Sequence, residues 1–178
     1  MIRAAQLGNE TAFRALYREM QPRLLRYLTA RIGTEAEDVA SECWLRVARD
    51  LDTFRGDIDD FWLWTVTIAR YRAIDHLRRK DRLPLADVRV EDLTELAGPE
   101  DPAALTLDRI STERTLALIG TLPPDQAEAV LLRVVLGFEP ARAAQILGKR
   151  PGAVRTAAYR GLRALARRFE TRREARYY

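Results

Sequence analysis

Along most of the chain apolar residues recur every three or four positions with charged residues between them, the signature of helices that bury one face. The sharpest case runs from Leu136 to Phe169. Glu139 to Leu147 carries Ala143, Ala144 and Leu147 in one stripe, and Gly148 can take the left-handed backbone that ends a helix. Pro151 suits the first position of a second helix, where its missing N–H costs nothing. There Val154, Ala158, Leu162 and Leu165 are expected inward, with Arg155, Thr156, Tyr159, Arg160 and Arg163 outward. Small alanines let two helices approach closely around a short turn, which is what a helix-turn-helix requires.

Upstream, the pattern predicts a helix from Glu10 to Arg31 with Phe13, Leu16, Tyr17, Met20, Leu24, Leu25 and Leu28 on one side, interrupted or kinked at Pro22. Thr34 and Glu37 have capping-box spacing for a helix from Glu35 to Leu51. Val39, Cys43 and Val47 face inward there, leaving Asp38, Ser41, Glu42, Leu45, Arg46 and Arg49 on other faces. A leucine among exposed charges fits a partner surface; the same residues also fit an ordinary capped helix with a Glu42–Arg46 pair.

Phe54 to Asp60 is a polar, turn-rich loop apart from Phe54 and Ile58. A helix from Phe61 to Lys80 follows, burying Trp64, Ile68, Tyr71 or Ala73, Ile74 and Leu77, exposing Arg70, Arg72, Arg78, Arg79 and Lys80, and leaving at most one of Trp62 and Trp64 in solvent. Residues 82–104 hold three prolines, a glycine and a cluster of carboxylates and read as a linker. Beyond it a helix reaches Gly120, and another begins at Pro123 or Pro124, with Ala127, Val130, Leu131, Val134 and Val135 as core.

Composition narrows this to an all-α chain of two small helical domains, 1–81 and 105–178, joined by an acidic flexible linker, since strand signals are poor across all 178 residues. The formal net charge of +4 divides as +2 over residues 1–80, −5 over 81–120 and +7 over 121–178. Two basic ends around an acidic middle suggest two domains that face a polyanion. Exposed arginines, a hydroxyl and a ring on the last helix suit a DNA groove, and aromatics beside a basic helix suit single-stranded DNA. Each pattern also fits a solvated amphipathic helix or an aromatic core.

No apolar run is long enough to span a bilayer and no signal-type core opens the chain, so a cytoplasmic protein without membrane insertion is expected. Cys43, the single cysteine, reads as a small core residue and cannot form an internal disulfide. His76 follows Asp75, but neighbours on a helix do not face each other. With no nucleophile, phosphate loop, paired carboxylates or metal-ligand cluster, neither catalysis nor a metal or other cofactor is expected.

Five stretches in order, FRALYREMQPRLLRYL, EAEDVASECWLRV, FRGDIDDFWLWTVTIARYRAIDHLRRK, TLPPDQAEAVLLRVVLGF and the helix-turn-helix, resemble the small two-domain bacterial sigma factors of the extracytoplasmic-function type over nearly the whole chain. The resemblance implies a non-enzymatic factor that gives core RNA polymerase its promoter specificity through a region 2-like and a region 4-like domain. It implies docking on the beta-prime clamp by Asp38, Ser41, Glu42, Leu45, Arg46 and Arg49, with a further contact at the beta flap. It implies capture of a flipped minus-ten base by Phe54, Arg55, Gly56, Asp57, Ile58 and Asp59, with Arg70, Arg72, His76 and Arg79 guiding the opened strand. Lys149, Arg150, Arg155, Thr156, Tyr159, Arg160 and Arg163 would meet the minus-thirty-five element, and an anti-sigma factor would mask these faces. Departures from the usual pattern fall at Ser41, Ala48, Tyr71, Lys149, Arg150 and Ala157. The alternatives are a stand-alone helix-turn-helix regulator, which would bind spaced half-sites as a dimer, and a protein-binding adaptor.

Overall fold

The computed structural model describes residues 1–82, 112 and 114–174, and every regular element among them is helical. Helices α1 (Ile2–Gln6), α2 (Glu10–Ile32), α3 (Ala36–Asp50) and α4 (Ile58–Arg82) pack as an N-terminal bundle. A short helix α5 over 114–120, then α6 (Pro124–Val130), α7 (Pro140–Leu147) and α8 (Pro151–Glu174), build the C-terminal one. The expected all-α, two-domain architecture is present, and the linker from residue 83 onward lies outside the described residues.

The first helix, α1, is too short to show a period, yet it pins the molecule. Gln6 Nε2 donates to the carbonyl oxygens of Leu51 and Phe54, both at 2.9 Å, and so fastens the start of the 54–60 loop. Asn9 caps α2 by accepting from Ala12 N at 2.9 Å. Of the two expected effects of Pro22, the interruption does not occur: α2 runs through it from Glu10 to Ile32. The carbonyl that the missing N–H would have served belongs to Arg18 on the exposed side, where water can take it. The α2 core is Leu16, Met20, Leu24, Tyr27, Leu28 and Ile32; Tyr17 instead sits at the rim against Trp44, with ring centroids 5.1 Å apart.

The expected capping box at Thr34 and Glu37 is not formed. A 3₁₀ turn over Gly33–Glu35 leads into α3, and the Thr34 hydroxyl donates to Glu35 Oε2 at 3.3 Å. Glu35 turns to Lys80 Nζ, 3.0 Å away on α4, which holds its carboxyl below the usual range. Ala36, Val39, Ala40, Cys43, Trp44 and Val47 of α3 pack the bundle core with Phe61, Thr65, Val66, Ala69 and Ala73 of α4. Cys43 is a core residue, its Sγ 3.6 Å from Thr65 O, and burial pushes its thiol up to about 12.

In the C-terminal domain α6 ends in one wide turn, Leu131–Val135, where Leu136 N donates to Leu131 O at 2.9 Å, five residues back. That turn holds one residue more than an α-helical turn would. Leu131, Leu132 and Leu136 are therefore buried, and Val134, expected in the core, is 57% exposed. Ala143, Ala144 and Ile146 bury the face of α7, and Gly148, with φ 63°, closes it in the left-handed conformation. On α8 Val154, Ala158 and Leu165 point inward as expected, but Leu162 does not. Gly161 takes the inward place, because a Cβ there would stand 2.7 Å from Val130 Cγ2. The backbones of α6 and α8 approach too closely there for a side chain.

The two domains touch. The turn after α6 lies on α2, the loop beyond it brings Phe138 onto Trp62 of α4, and α7 reaches the start of α4.

Candidate polymerase and nucleic-acid surfaces

The buried stripe of α3 turns Asp38, Ser41, Glu42, Leu45, Arg46 and Arg49 to the opposite, exposed side. Leu45 is 68% exposed with no apolar cover among the described residues. The expected Glu42–Arg46 pair is not made. Arg46 pairs with Asp50 one turn on, while Glu42 Oε2 lies 3.8 Å from Arg72 Nη1 of α4. Ser41 Oγ is tied to its own helix, donating to Glu37 O at 2.9 Å.

The 54–60 loop is built as a rim on an aromatic floor. Phe54 is a wall of that floor: its ring packs at 5.3 Å from Phe61 and 5.2 Å from Trp64. Arg55 Nη1 donates to the carbonyls of Asp52 and Phe54, both at 2.7 Å. Gly56 has φ 150°, and a Cβ there would meet Asp60 Cβ at 2.7 Å, so the bend tolerates only glycine. Asp57 Oδ1 accepts from Asp60 N at 2.8 Å, and Asp60 Oδ2 accepts from Asp57 N at 3.3 Å. This reciprocal cap starts α4 at Ile58, one turn before the Phe61 start read from the periodicity, and leaves Ile58 and Asp59 exposed on the rim.

Trp62 and Trp64 are both covered, in keeping with at most one being exposed, whereas Tyr71 is 60% exposed. Arg72, His76 and Arg79 share one face of α4, with His76 tucked toward Glu35, its Nε2 4.0 Å from Oε1. Arg70 does not join them. Two residues of α-helix rotate its side chain to about 160° from Arg72. It points instead at the C-terminal domain, where its Nε lies 3.3 Å from Glu128 Oε2. On α8 Arg155, Thr156, Tyr159, Arg160 and Arg163 are all exposed together, with Lys149 and Arg150 at the turn. Lys149 Nζ contacts Asp125 Oδ1 at 2.6 Å, and Arg163 lies over the Tyr159 ring at 5.8 Å.

A further cluster, unread from the sequence, lies between the domains. Arg23, Tyr27 and Arg31 form an i, i+4, i+8 stripe on α2 that meets Glu128 and the loop after α6. Arg31 Nε lies 2.8 Å from Glu128 Oε1, and the Tyr27 hydroxyl lies 3.5 Å from both carboxylate oxygens. Burial raises the Tyr27 phenol far above its usual range, so it stays a donor. Arg23 Nη2 donates to the Leu136 carbonyl and its guanidinium stands 5.4 Å from the Trp62 ring centroid. Trp62 stacks on Phe138, and Arg142 pairs with Asp60, whose carboxyl that guanidinium holds below the usual range. The i+4 stripe of Arg23, Tyr27 and Arg31 was the available signal; Glu128 gave none.

Sigma-70 region 2 matches residues 16–83 and Sigma-70 region 4 matches residues 112–165. The ECF RNA polymerase sigma factor BldN of Streptomyces coelicolor is 36% identical over 171 residues, covering 94% of this chain, which spans 64% of BldN's length. SigD of Mycobacterium tuberculosis, also an ECF RNA polymerase sigma factor, is 32% identical over 173 residues, covering 93% of this chain and 80% of SigD. Among solved structures, CnrH in complex with the cytosolic domain of CnrY has the same fold, with a TM-score of 0.68 at 21% identity over 96% of this chain and 95% of that one. So does RpoE in complex with the anti-sigma factor NepR from Bartonella quintana, with a TM-score of 0.67 at 20% identity over 89% of this chain and 97% of that one. With region 2 and region 4 in that order and relatives matched along nearly its whole length, the chain belongs to the family of ECF RNA polymerase sigma factors.

Proposed function

We propose that this chain is the factor that selects promoters for core RNA polymerase, acting in the cytoplasm without catalytic chemistry or cofactor of its own. Region 2-like residues 1–81 dock on the beta-prime clamp through Asp38, Ser41, Glu42, Leu45, Arg46 and Arg49, and Leu45 is the observation that carries this reading. Leu45, 68% exposed on the charged side of α3, gives that surface the apolar point a protein partner would cover. The rim of Arg55 to Asp59 takes a flipped minus-ten base, Phe54 supports that rim from below, and α4 follows the opened strand. Residues 105–178 place Arg155, Thr156, Tyr159, Arg160 and Arg163, with Lys149 and Arg150, on the minus-thirty-five element and meet the beta flap. An anti-sigma factor is the fitting regulator, since RpoE, a sigma factor of like fold, is solved in complex with the anti-sigma factor NepR.

Run-off transcription on a promoter library, with purified core polymerase alone and with this protein added, tests the proposal. Start sites that depend on the protein are the expected result; transcripts identical in both reactions would overturn it.

A further inference from the structure

Five side chains of the N-terminal domain, Arg23, Tyr27 and Arg31 of α2 with Trp62 and Arg70 of α4, form one continuous face that the C-terminal domain covers. Its chemistry is that of a single-strand site: guanidiniums to follow a backbone, and a flat indole on which a base can stack. What covers it copies the parts of a strand. Phe138 lies over Trp62 with centroids 6.1 Å apart and planes 20° from parallel, as a stacked base would. The Glu128 carboxylate, 5% exposed, sits between Arg31 and Arg70 and under the Tyr27 hydroxyl, as a phosphate would. The Leu136 carbonyl offers Arg23 a third oxygen.

As packing alone the seam is poorly made. Among the described residues the buried Trp62 Nε1 proton finds no hydrogen-bond acceptor, and the buried Arg31 Nε, although 2.8 Å from Glu128 Oε1, does not align its proton with that oxygen. Replacing a buried ion cluster by apolar side chains is often neutral or stabilising, so such a cluster is weak evidence for a stability role. Separating the domains takes the carboxylate away from Arg31 and Arg70 and the ring away from Trp62, leaving cations and an indole together on one open face.

We propose that Arg23, Tyr27, Arg31, Trp62 and Arg70 bind the opened DNA strand, and that Phe138 and Glu128 imitate a base and a phosphate to keep that face shut in the free chain. The inference rests on the promoter-selecting role, for which the resemblance implies Arg70 as a strand guide; Arg23, Tyr27, Arg31, Trp62 and the mimicry are additional to it.

The test uses the full chain and a labelled 12-nucleotide single-stranded DNA of mixed sequence, without polymerase, so it can fail while promoter-dependent transcription succeeds, and the reverse. Glu128→Gln with Phe138→Ala is expected to expand the chain in small-angle scattering and to bind the oligonucleotide about tenfold more tightly than the parent, with the charge-assisted contacts freed. Adding Arg31→Gln to that open chain should remove most of the gain and flatten the slope of log affinity against log salt by about 0.7. Arg31→Lys should keep the slope. If Arg31→Gln prevents folding, Tyr27→Phe in the open chain serves, with a loss of about threefold expected. An open chain that binds no better than the parent, a double variant that stays compact, or Arg31→Gln and Tyr27→Phe variants that bind like their open parent would each overturn the proposal.

Discussion

Trp62 of the N-terminal domain and Phe138 of the C-terminal domain stack on each other with their ring planes 20° from parallel. Phe138 lies in the loop between the wide turn and α7, so the ring is delivered by backbone geometry and not by a long helix face. Phe138→Ala should therefore uncover Trp62 while sparing the N-terminal bundle. A red shift of tryptophan emission and easier acrylamide quenching, with far-ultraviolet dichroism close to that of the parent, are expected; unchanged quenching would mean that the seam does not depend on this contact.

Gly161 is the point of closest approach between α6 and α8. A methyl group there must push Val130 Cγ2 from 2.7 Å, and Gln126 Cβ and its backbone oxygen, both at 3.3 Å one turn earlier on α6, crowd the same space. Gly161→Ala is expected to destabilise the C-terminal domain by about 1–3 kcal/mol through overpacking, more than its gain in helix propensity returns. Thermal melting of the variant checks this, and an equal or higher melting temperature would show that the helices can spread.

Leu45 offers a separation of stability from binding. It is so exposed that Leu45→Asp should leave unfolding free energy within about 0.5 kcal/mol of the parent. Affinity for core polymerase should nevertheless fall at least tenfold in a direct binding assay, because a hydrophobic anchor at an interface centre carries much of its energy. Equal affinity would move the docking surface off α3.

Arg155 and Arg160 stand exposed on the open face of α8. Arg155→Ala or Arg160→Ala should cost about 1–3 kcal/mol in promoter binding, with relaxed sequence preference if the lost contact is to a base edge and with uniform weakening if it is to phosphate. Selection of promoter variants by the holoenzyme distinguishes the two.

The Asp60–Arg142 pair gives the seam a pH dependence. Hydrogen bonding from Arg142 lowers the Asp60 carboxyl below its unfolded value, so this contribution is fully present above about pH 4 and is lost as pH falls through the lower folded value. The pair is partly solvated, so the effect is modest. Parent and Asp60→Asn should thus differ in domain separation at neutral pH and converge in acid; scattering profiles that differ equally at both would assign the effect of Asn to something other than charge.

Much of this was legible because it follows a period. Val154, Ala158 and Leu165 announce the buried side of α8, and the alternation of Val39, Cys43 and Val47 with Asp38, Glu42, Leu45 and Arg49 fixes both faces of α3. Gly161 was not legible, since a glycine carries no hydrophobic signal and Leu162 beside it does. Val134 is exposed because the helical period does not continue through a turn that is one residue too wide. Thr34 has the spacing of a cap, but Gly33 opens a 3₁₀ turn in which Ala36 N donates to Gly33 O, and the chain enters α3 without a side-chain cap. Glu128 was invisible for a different reason: in sequence it is an ordinary polar residue of a helix, and its partners Arg70, Arg31 and Tyr27 are far away along the chain and belong to the other domain.

The wide turn over Leu131–Val135 works as a phase setter between two contacts. Each residue of an α-helix advances the side-chain direction by about 100°, so the inserted residue fixes the angle between what α6 presents and what the following loop presents. With it, a carboxylate from α6 and a ring from the loop arrive on the same face of the partner domain. Deleting one residue from Leu131–Val135 would swing Glu128 away from Arg31 while Phe138 still sat on Trp62, leaving the molecule latched at one point and ajar at the other.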